Sequence, residues 1–392
     1  MLTLLVGSVI LGGLFYCPNK EVEEVNRCLA GHIVDYTHNA GPDNRIYSQI
    51  LCEKRDLYVY LPPGYDPARK YTLIVWLHGA FGDETPFPRT GAITYLDNLI
   101  RSGCCPPVIV AAPDASIGGR NKLTARHSMF INGAKGNFED HLIQEVIPFV
   151  MTNYSVRPER EGHVISGYSG GGLPAVALGI KYREMFSLVT VIAGPLNLRY
   201  STCSGRYFEN FSPETYRWSE DYSPHSKVAK YWGGLIHVPA RFFVTPIFGR
   251  GDGIIERVKM NNPSDLLFSH DLQPGELQMF IRYAGRDNFN FDAQIESFIW
   301  LASTRGISID AVKDPKARHT TEYCTEAQKR AYDWLAPRML PPTEPETVET
   351  SSTDPVAPAE VKPAAEEAKP AEESKAAEAA PVEAVPTEGS TK

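Results

Sequence analysis

Residues 163–179 read HVISGYSGGGLPAVALG, with one serine, Ser169, set among Gly167, Gly170, Gly171 and Gly172. A flexible linker is also glycine-rich, but it is not bracketed by two segments that favour burial. The stretch therefore predicts a buried strand, a sharp turn and a helix. In such a turn the serine projects from the strand end in a strained conformation, and residues two before and two after it crowd the neighbouring strand and helix. Gly167 and Gly171 hold those places, giving G-x-S-x-G around Ser169. The bare pattern recurs by chance; the strand before it and the helix after it give it meaning. The turn also aims the backbone N–H of Gly170 at the place where an oxyanion would form.

The rest of the chain offers a scaffold of the same kind. DLYVYLPPGYD alternates as a strand does, then stops at Pro62-Pro63-Gly64. YTLIVWLHGAFGD and PPVIVAAPDAS are near-continuous apolar runs, as strands covered on both faces must be. GAITYLDNLIRSG, FEDHLIQEVIPFVMTNY and LPAVALGIKYREMF have helical spacing, with Leu142, Val146 and Ile147 or Val150 on one face of the second. SLVTVIAG follows as another strand. This alternation predicts an α/β fold with a mostly parallel central sheet and helices on both faces. The loop LHGAFGD follows an early strand, so its Ala80 or Phe81 N–H is the expected second oxyanion donor. His78 is read as shaping that loop.

A serine hydroxyl needs a base, and the base needs an orienting acid. For a nucleophile on this kind of turn the chain order is serine, acid, histidine. After Ser169 come His225, His237, His270 and His319. Only His319 follows a late strand, ISIDAVKD, and precedes a terminal helix, TEAQKRAYDWLAPRM. Asp287 stands just past the strand in LQMFIRYAGRD, one helix and one strand before His319. Asp292 is read as the cap of the following helix. Asp252 is the alternative acid, because ARFFVTPIFG before it reads as an apolar strand. Between these runs an aromatic-rich insertion over about 200–240 holds Tyr207, Phe208, Phe211, Tyr216, Trp218, Tyr222, Tyr231 and Trp232. These rings either pack the insertion onto the domain or stack on a sugar or phenolic group. Tyr168, Trp218 and Trp232 are the substrate-binding candidates.

Charge and composition limit the partners. From Pro341 to Lys392 twelve acidic residues face four lysines, which accounts for the whole net charge of −8, and the remainder balances at 35 against 35. No basic field exists to hold nucleic acid. The tail over 341–392 is rich in Pro, Ala and Glu and poor in large apolar residues, so it reads as disordered. The first sixteen residues are uncharged and mostly apolar; residues 1–20 read as an export signal or N-terminal anchor, the alternatives being a mis-chosen start or a buried first strand. Six cysteines beyond Cys17 are compatible with disulfides in an oxidising compartment, and the vicinal pair Cys104–Cys105 lacks metal-binding spacing. No metal and no cofactor is expected. Residues 21–340 form the expected catalytic domain.

YVYLPPGYDP, LIVWLHG, LDNLIRSG, PPVIVAAPDA, FEDHLIQEVIPFV and GYSGGG, in that order, resemble the putative esterase (esterase D-like) family of α/β hydrolases. That family includes feruloyl and acetyl-xylan esterases, enterochelin esterases and secreted mycolyltransferases. The resemblance runs from about Asp56 to Ala193. It implies an α/β-hydrolase fold and a serine esterase, with Ser169 as nucleophile and Gly170 at the oxyanion position, where methionine is more usual; the export reading of the N-terminus adds a secreted or envelope location. The family's histidine often lies in a GGH segment; the counterpart here, AGRDNFN, has none, which moves the acid to Asp287 and the base to His319. An ester such as an acylated or feruloylated glycan or a siderophore ester is the expected substrate. An acyltransferase, or a non-catalytic envelope or binding protein on the same fold, is the alternative.

Overall fold

The central strands are buried end to end because they are apolar at most positions, and the few polar side chains among them, Thr72, His163, Ser166 and Thr190, are hydrogen-bonded where they are buried. Thr72–Leu77, Val108–Pro113, His163–Tyr168 and Leu188–Ile192 carry scarcely a solvent-facing residue. The structure, a computed structural model, describes residues 21–345 apart from 39–41, 81, 119–125 and 232–234. The sequence readings that fall on 1–20, Phe81, Trp232 and the tail from 346 lie outside the described residues.

Eight strands form the main sheet: β1 (His32–Tyr36), β2 (Leu57–Leu61), β3 (Thr72–Leu77), β4 (Val108–Pro113), β5 (His163–Tyr168), β6 (Leu188–Ile192), β7 (Gln278–Ala284) and β8 (Asp310–Asp314). Their spatial order is β1-β2-β4-β3-β5-β6-β7-β8. β1 and β2 run antiparallel at one edge, and every pair from β4 to β8 is parallel. Side chains of period 2 divide the sheet between two cores. Leu73, Val75 and Leu77 of β3 join the cluster that includes helices over 138–153, 172–181 and 291–304. Ile74 and Trp76 of the same strand join the other face, under helices α1 (Ala92–Arg101) and α5 (Thr321–Leu335). This is the α/β-hydrolase fold expected.

Three local readings change. The segment over 138–153 is helical, but His141–Val146 is a π-helical turn. Pro148 has no N–H to give to the carbonyl of residue 144, so the bonding pattern shifts there. Leu142, Val146, Ile147 and Val150 are buried as expected. ARFFVTPIFG is not a strand: Ala240–Phe242 is a 3₁₀ turn and Val244–Phe248 a helix. Its apolar residues repeat at four (Phe243 with Ile247, Val244 with Phe248), and that periodicity won. No strand of the main sheet therefore interrupts residues 193–277, and the cover is wider than the 200–240 expected. The six described cysteines are all free thiols rather than bridged. Burial pushes the Cys105 and Cys324 thiols up to about 12. No helix among the described residues is long and apolar enough to cross a membrane.

Candidate active site

The site assembles where parallel neighbours end side by side. Gly167 of β5 lies opposite Leu77 of β3, so the turn at Ser169 and the loop starting at His78 leave the sheet together. Ala284 of β7 lies opposite Asp314 of β8, so the loops carrying Asp287 and His319 also leave together. Ser169 has φ 50°, the left-handed region that costs a side chain strain and that such a turn requires. A Cβ on Gly167 would lie 2.0 Å from the carbonyl oxygen of Gly171, which is why the turn closes only on glycine. After a 3₁₀ turn over Ser169–Gly171 the chain enters helix α3 (Gly172–Lys181), whose N-terminus places positive dipole at the site.

A continuous chain of hydrogen bonds joins three side chains. Ser169 Oγ lies 2.9 Å from His319 Nε2, and His319 Nδ1 lies 2.8 Å from Asp287 Oδ2. Asp287 is buried, and its other oxygen accepts the Phe289 N–H at 2.7 Å. That acceptor role fixes the rotamer of the carboxylate, so Nδ1 of His319 carries the proton and Nε2 is free to accept one from Ser169. The rings of Phe289 and Phe291 stand edge-on to His319 at 5.2 and 5.5 Å between centroids.

The oxyanion candidates Gly170 and Ala80 meet closely. A Cβ on Gly170 would fall 2.6 Å from the Ala80 nitrogen, so glycine is what allows the two backbones to approach. His78, fully buried, holds the loop beneath them: Nε2 accepts the Ala115 N–H at 3.0 Å, and Nδ1 donates to the Gly79 carbonyl at 3.0 Å. Burial pushes its pKa down, which keeps the ring neutral.

The remaining candidates fall elsewhere. Tyr168 packs against Trp76 at 5.3 Å, and a Cβ on Gly79 would lie 2.9 Å from its ring. Trp218 lies under the Arg199 guanidinium at 4.8 Å. Neither lines the two cavities described below, and each is taken up in packing. Asp252 is exposed in the turn that follows the short helix replacing its expected strand. Asp292 lies in the first turn of α4 (Phe291–Thr304), and Asn290, with φ 58°, takes the cap position instead. Burial, then the charge of Asp287, raises Asp292 to about 6.

A cavity of about 100 Å³ that the sequence did not disclose is lined by Phe289 and Phe291, the two rings that meet His319, though not by His319 itself. Phe289 and Phe291 form one wall; Met129, Phe243, Val244 and Ile247 form much of the rest. A smaller recess shares Met129, Phe243 and Ile247 and reaches Ala80 and His127. His127 Nδ1 accepts the Met129 N–H at 2.8 Å, so Nε2 carries the proton, and that buried donor has no partner. Burial holds the ring neutral. Among the described residues, Asp56, Glu84 and Asp114 form a buried carboxylate group with ligand atoms within 4.8 Å of one another, close enough to hold a metal ion. Arg55 already binds Asp114 at 2.6 Å, and burial, then the charge of Asp114, raises Glu84 well above its ordinary value, which favours its neutral form over a metal-binding carboxylate.

The fold and this meeting of serine, imidazole and carboxylate define the α/β-hydrolase class. The sequence pattern of the family described as "Putative esterase" matches residues 48–251, just over half of the chain. The chain belongs to that family. The match contains Ser169, Gly170 and Ala80 and stops short of Asp287 and His319. An endo-1,4-beta-xylanase/feruloyl esterase of Xylanibacter ruminicola is 28% identical over 171 residues, which is 41% of this chain and 22% of that protein. An esterase of Mycobacterium tuberculosis is 28% identical over 142 residues, 36% of this chain and 29% of that protein. The matched part thus spans under a third of these curated relatives. Among solved structures, a ferulic acid esterase superposes with a TM-score of 0.57 at 18% identity, covering 79% of this chain and 100% of the other. At that identity the likeness is one of fold.

Proposed function

We propose that the chain is a serine carboxylic-ester hydrolase working through an acyl-enzyme. The observation that carries this reading is the unbroken chain from Ser169 through His319 to Asp287. His319 Nε2 takes the proton as Ser169 Oγ attacks the ester carbonyl, and Asp287 stabilises the imidazolium that forms. The N–H groups of Gly170 and Ala80 receive the oxyanion. His319 then returns the proton to the leaving alkoxide, and a water attacks the acyl-enzyme with the same imidazole as its base. The apolar and aromatic wall beside His319 supports an apolar or aromatic acyl group, and the feruloyl and ferulic acid esterases among its relatives point the same way. The spare Nε2–H of His127 offers an acceptor on the substrate its one polar contact in the recess beside Ala80. An acylated or feruloylated glycan or a siderophore ester fits that chemistry. We place the catalytic unit at residues 21–340, with an export or anchoring segment before it and a spacer after it. A fluorophosphonate probe should label Ser169 in the parent and leave Ser169→Ala unlabelled, and the parent alone should turn over p-nitrophenyl and feruloyl esters. A folded parent without either adduct or turnover would refute the reading.

A further inference from the structure

The cover contains a segment whose charge and exposure differ from the rest of the domain. Between Tyr222 and Gly251 the chain holds Lys227, Lys230, Arg241 and Arg250 and neither Asp nor Glu. None of the four forms an ion pair among the described residues. Lys230 rests over the Phe208 ring at 4.8 Å, and Arg241 over Phe242 at 5.3 Å with His225 beside it. The same segment holds three of the seven exposed large hydrophobics among the described residues: Leu235 at 78%, Phe242 at 50% and Tyr231 at 37%. Its architecture is a hairpin, Lys227–Tyr231 against Ile236–Pro239, whose base is tied to the next turn by Arg241 N–H donating to the Pro224 carbonyl. Val228, Phe243, Val244 and Ile247, on the inner side of this lobe, line the cavity walled by Phe289 and Phe291.

Cations and large apolar residues laid on one exposed lobe make opposite demands. A soluble polyanion would match the cations and leave Leu235 and Phe242 in water. An apolar protein surface would cover those two and strand the charges. An anionic bilayer meets both, because head groups take Lys and Arg while aromatic and aliphatic side chains enter the interface. We propose that this lobe, through Lys227, Lys230, Arg241, Leu235 and Phe242, docks on an anionic lipid surface and turns the cavity walled by Phe289 and Phe291 toward esters held there. The presentation of esters rests on the hydrolase reading; the docking does not.

Flotation of the full chain with vesicles of phosphatidylcholine, with and without one third phosphatidylglycerol, tests this. The parent should bind the phosphatidylglycerol vesicles and release them as salt rises from 50 to 500 mM. K227Q/K230Q/R241Q should lower the partition coefficient about a hundredfold, about fivefold for each cation removed. Leu235→Ser should lower it about tenfold. All variants should keep the parent's turnover of water-soluble p-nitrophenyl acetate, which also reports that they fold. Salt-insensitive binding, or variants that partition as the parent does, would assign any vesicle binding to the apolar N-terminus and overturn the proposal. So would binding to heparin without binding to phosphatidylglycerol vesicles. Should the parent bind vesicles as described yet turn over no ester, the hydrolase reading falls and the docking surface stands.

Discussion

Around Ser169 geometry is held by backbone, and in the cover over 193–277 it is held by side chains. At the turn, Gly167 and Gly170 are placed where a Cβ would strike Gly171 or Ala80. In the cover, Tyr207 donates to the Phe289 carbonyl at 2.5 Å and accepts from Gln294, while Asn290 donates to the Tyr207 carbonyl. Arg199 joins Asp265 and Glu220 and covers Trp218. Backbone constraints leave few residues that fit and write themselves into the sequence as motifs. Side-chain constraints admit many solutions and leave only a composition. The difference separates where the chemistry is proposed to happen from what decides the substrate.

Substitutions at the turn should therefore act on rate for every ester. Ser169→Ala should remove turnover by about 10⁴-fold or more, with unfolding temperature nearly unchanged because alanine keeps the Cβ and with it the strain of the φ of 50°. Asp287→Asn, which leaves the imidazole in the wrong tautomer, should cost about 10²- to 10⁴-fold in kcat. An Asp287→Asn enzyme with parent activity would return Asp252 to consideration.

Gly170→Ala should lower kcat by about 10²- to 10³-fold for acetyl and feruloyl esters alike, since its methyl would press on the Ala80 nitrogen. Steady-state kinetics on both esters measure this; a loss confined to the bulky ester would mean that residue 170 shapes the pocket rather than the oxyanion site.

Phe243→Ala opens the cover instead. It should raise KM for feruloyl or long-chain esters by about 10- to 100-fold and leave acetyl esters nearly untouched. Equal losses on both would erase the contrast between the two regions.

The smallest effect concerns Asp292. Its folded pKa of about 6 lies above the ordinary 3.8. The protonated form is favoured in the fold, so this contribution is complete below about pH 3.8 and is lost as pH rises through 6. Asp292→Asn should then stabilise the protein by roughly 1 kcal/mol at pH 7.5, the side chain being partly exposed, and by nothing at pH 3.5. Thermal unfolding at the two pH values shows it; a gain at pH 3.5 would assign the effect to packing.

Much of this was legible residue by residue. The strand at His163–Tyr168, the turn at Ser169 and the loop at His78 follow from burial periodicity and glycine placement, whereas Asp287 and His319 are candidates from their places after late strands and the serine, acid, histidine order that such a turn implies. The helix at Val244–Phe248 was missed because a short apolar run supports either period. The π-turn at His141–Val146 was missed because one proline inside a helical pattern does not say which bond gives way. Phe289, Phe291, Met129 and His127 carry no motif; they line the cavity or the smaller recess next to it only because segments distant in sequence converge there.

The amino-acid order alone determined the class of fold, the turn that exposes Ser169 and the three residues to compare, since apolar period and the absence of Cβ act locally on the chain. Which aromatic rings line the cavity, which buried histidine keeps a free N–H, and where the cations of 222–251 stand exposed were decided by packing. Those properties belong to surfaces contributed by several segments at once, and no single stretch of sequence contains them.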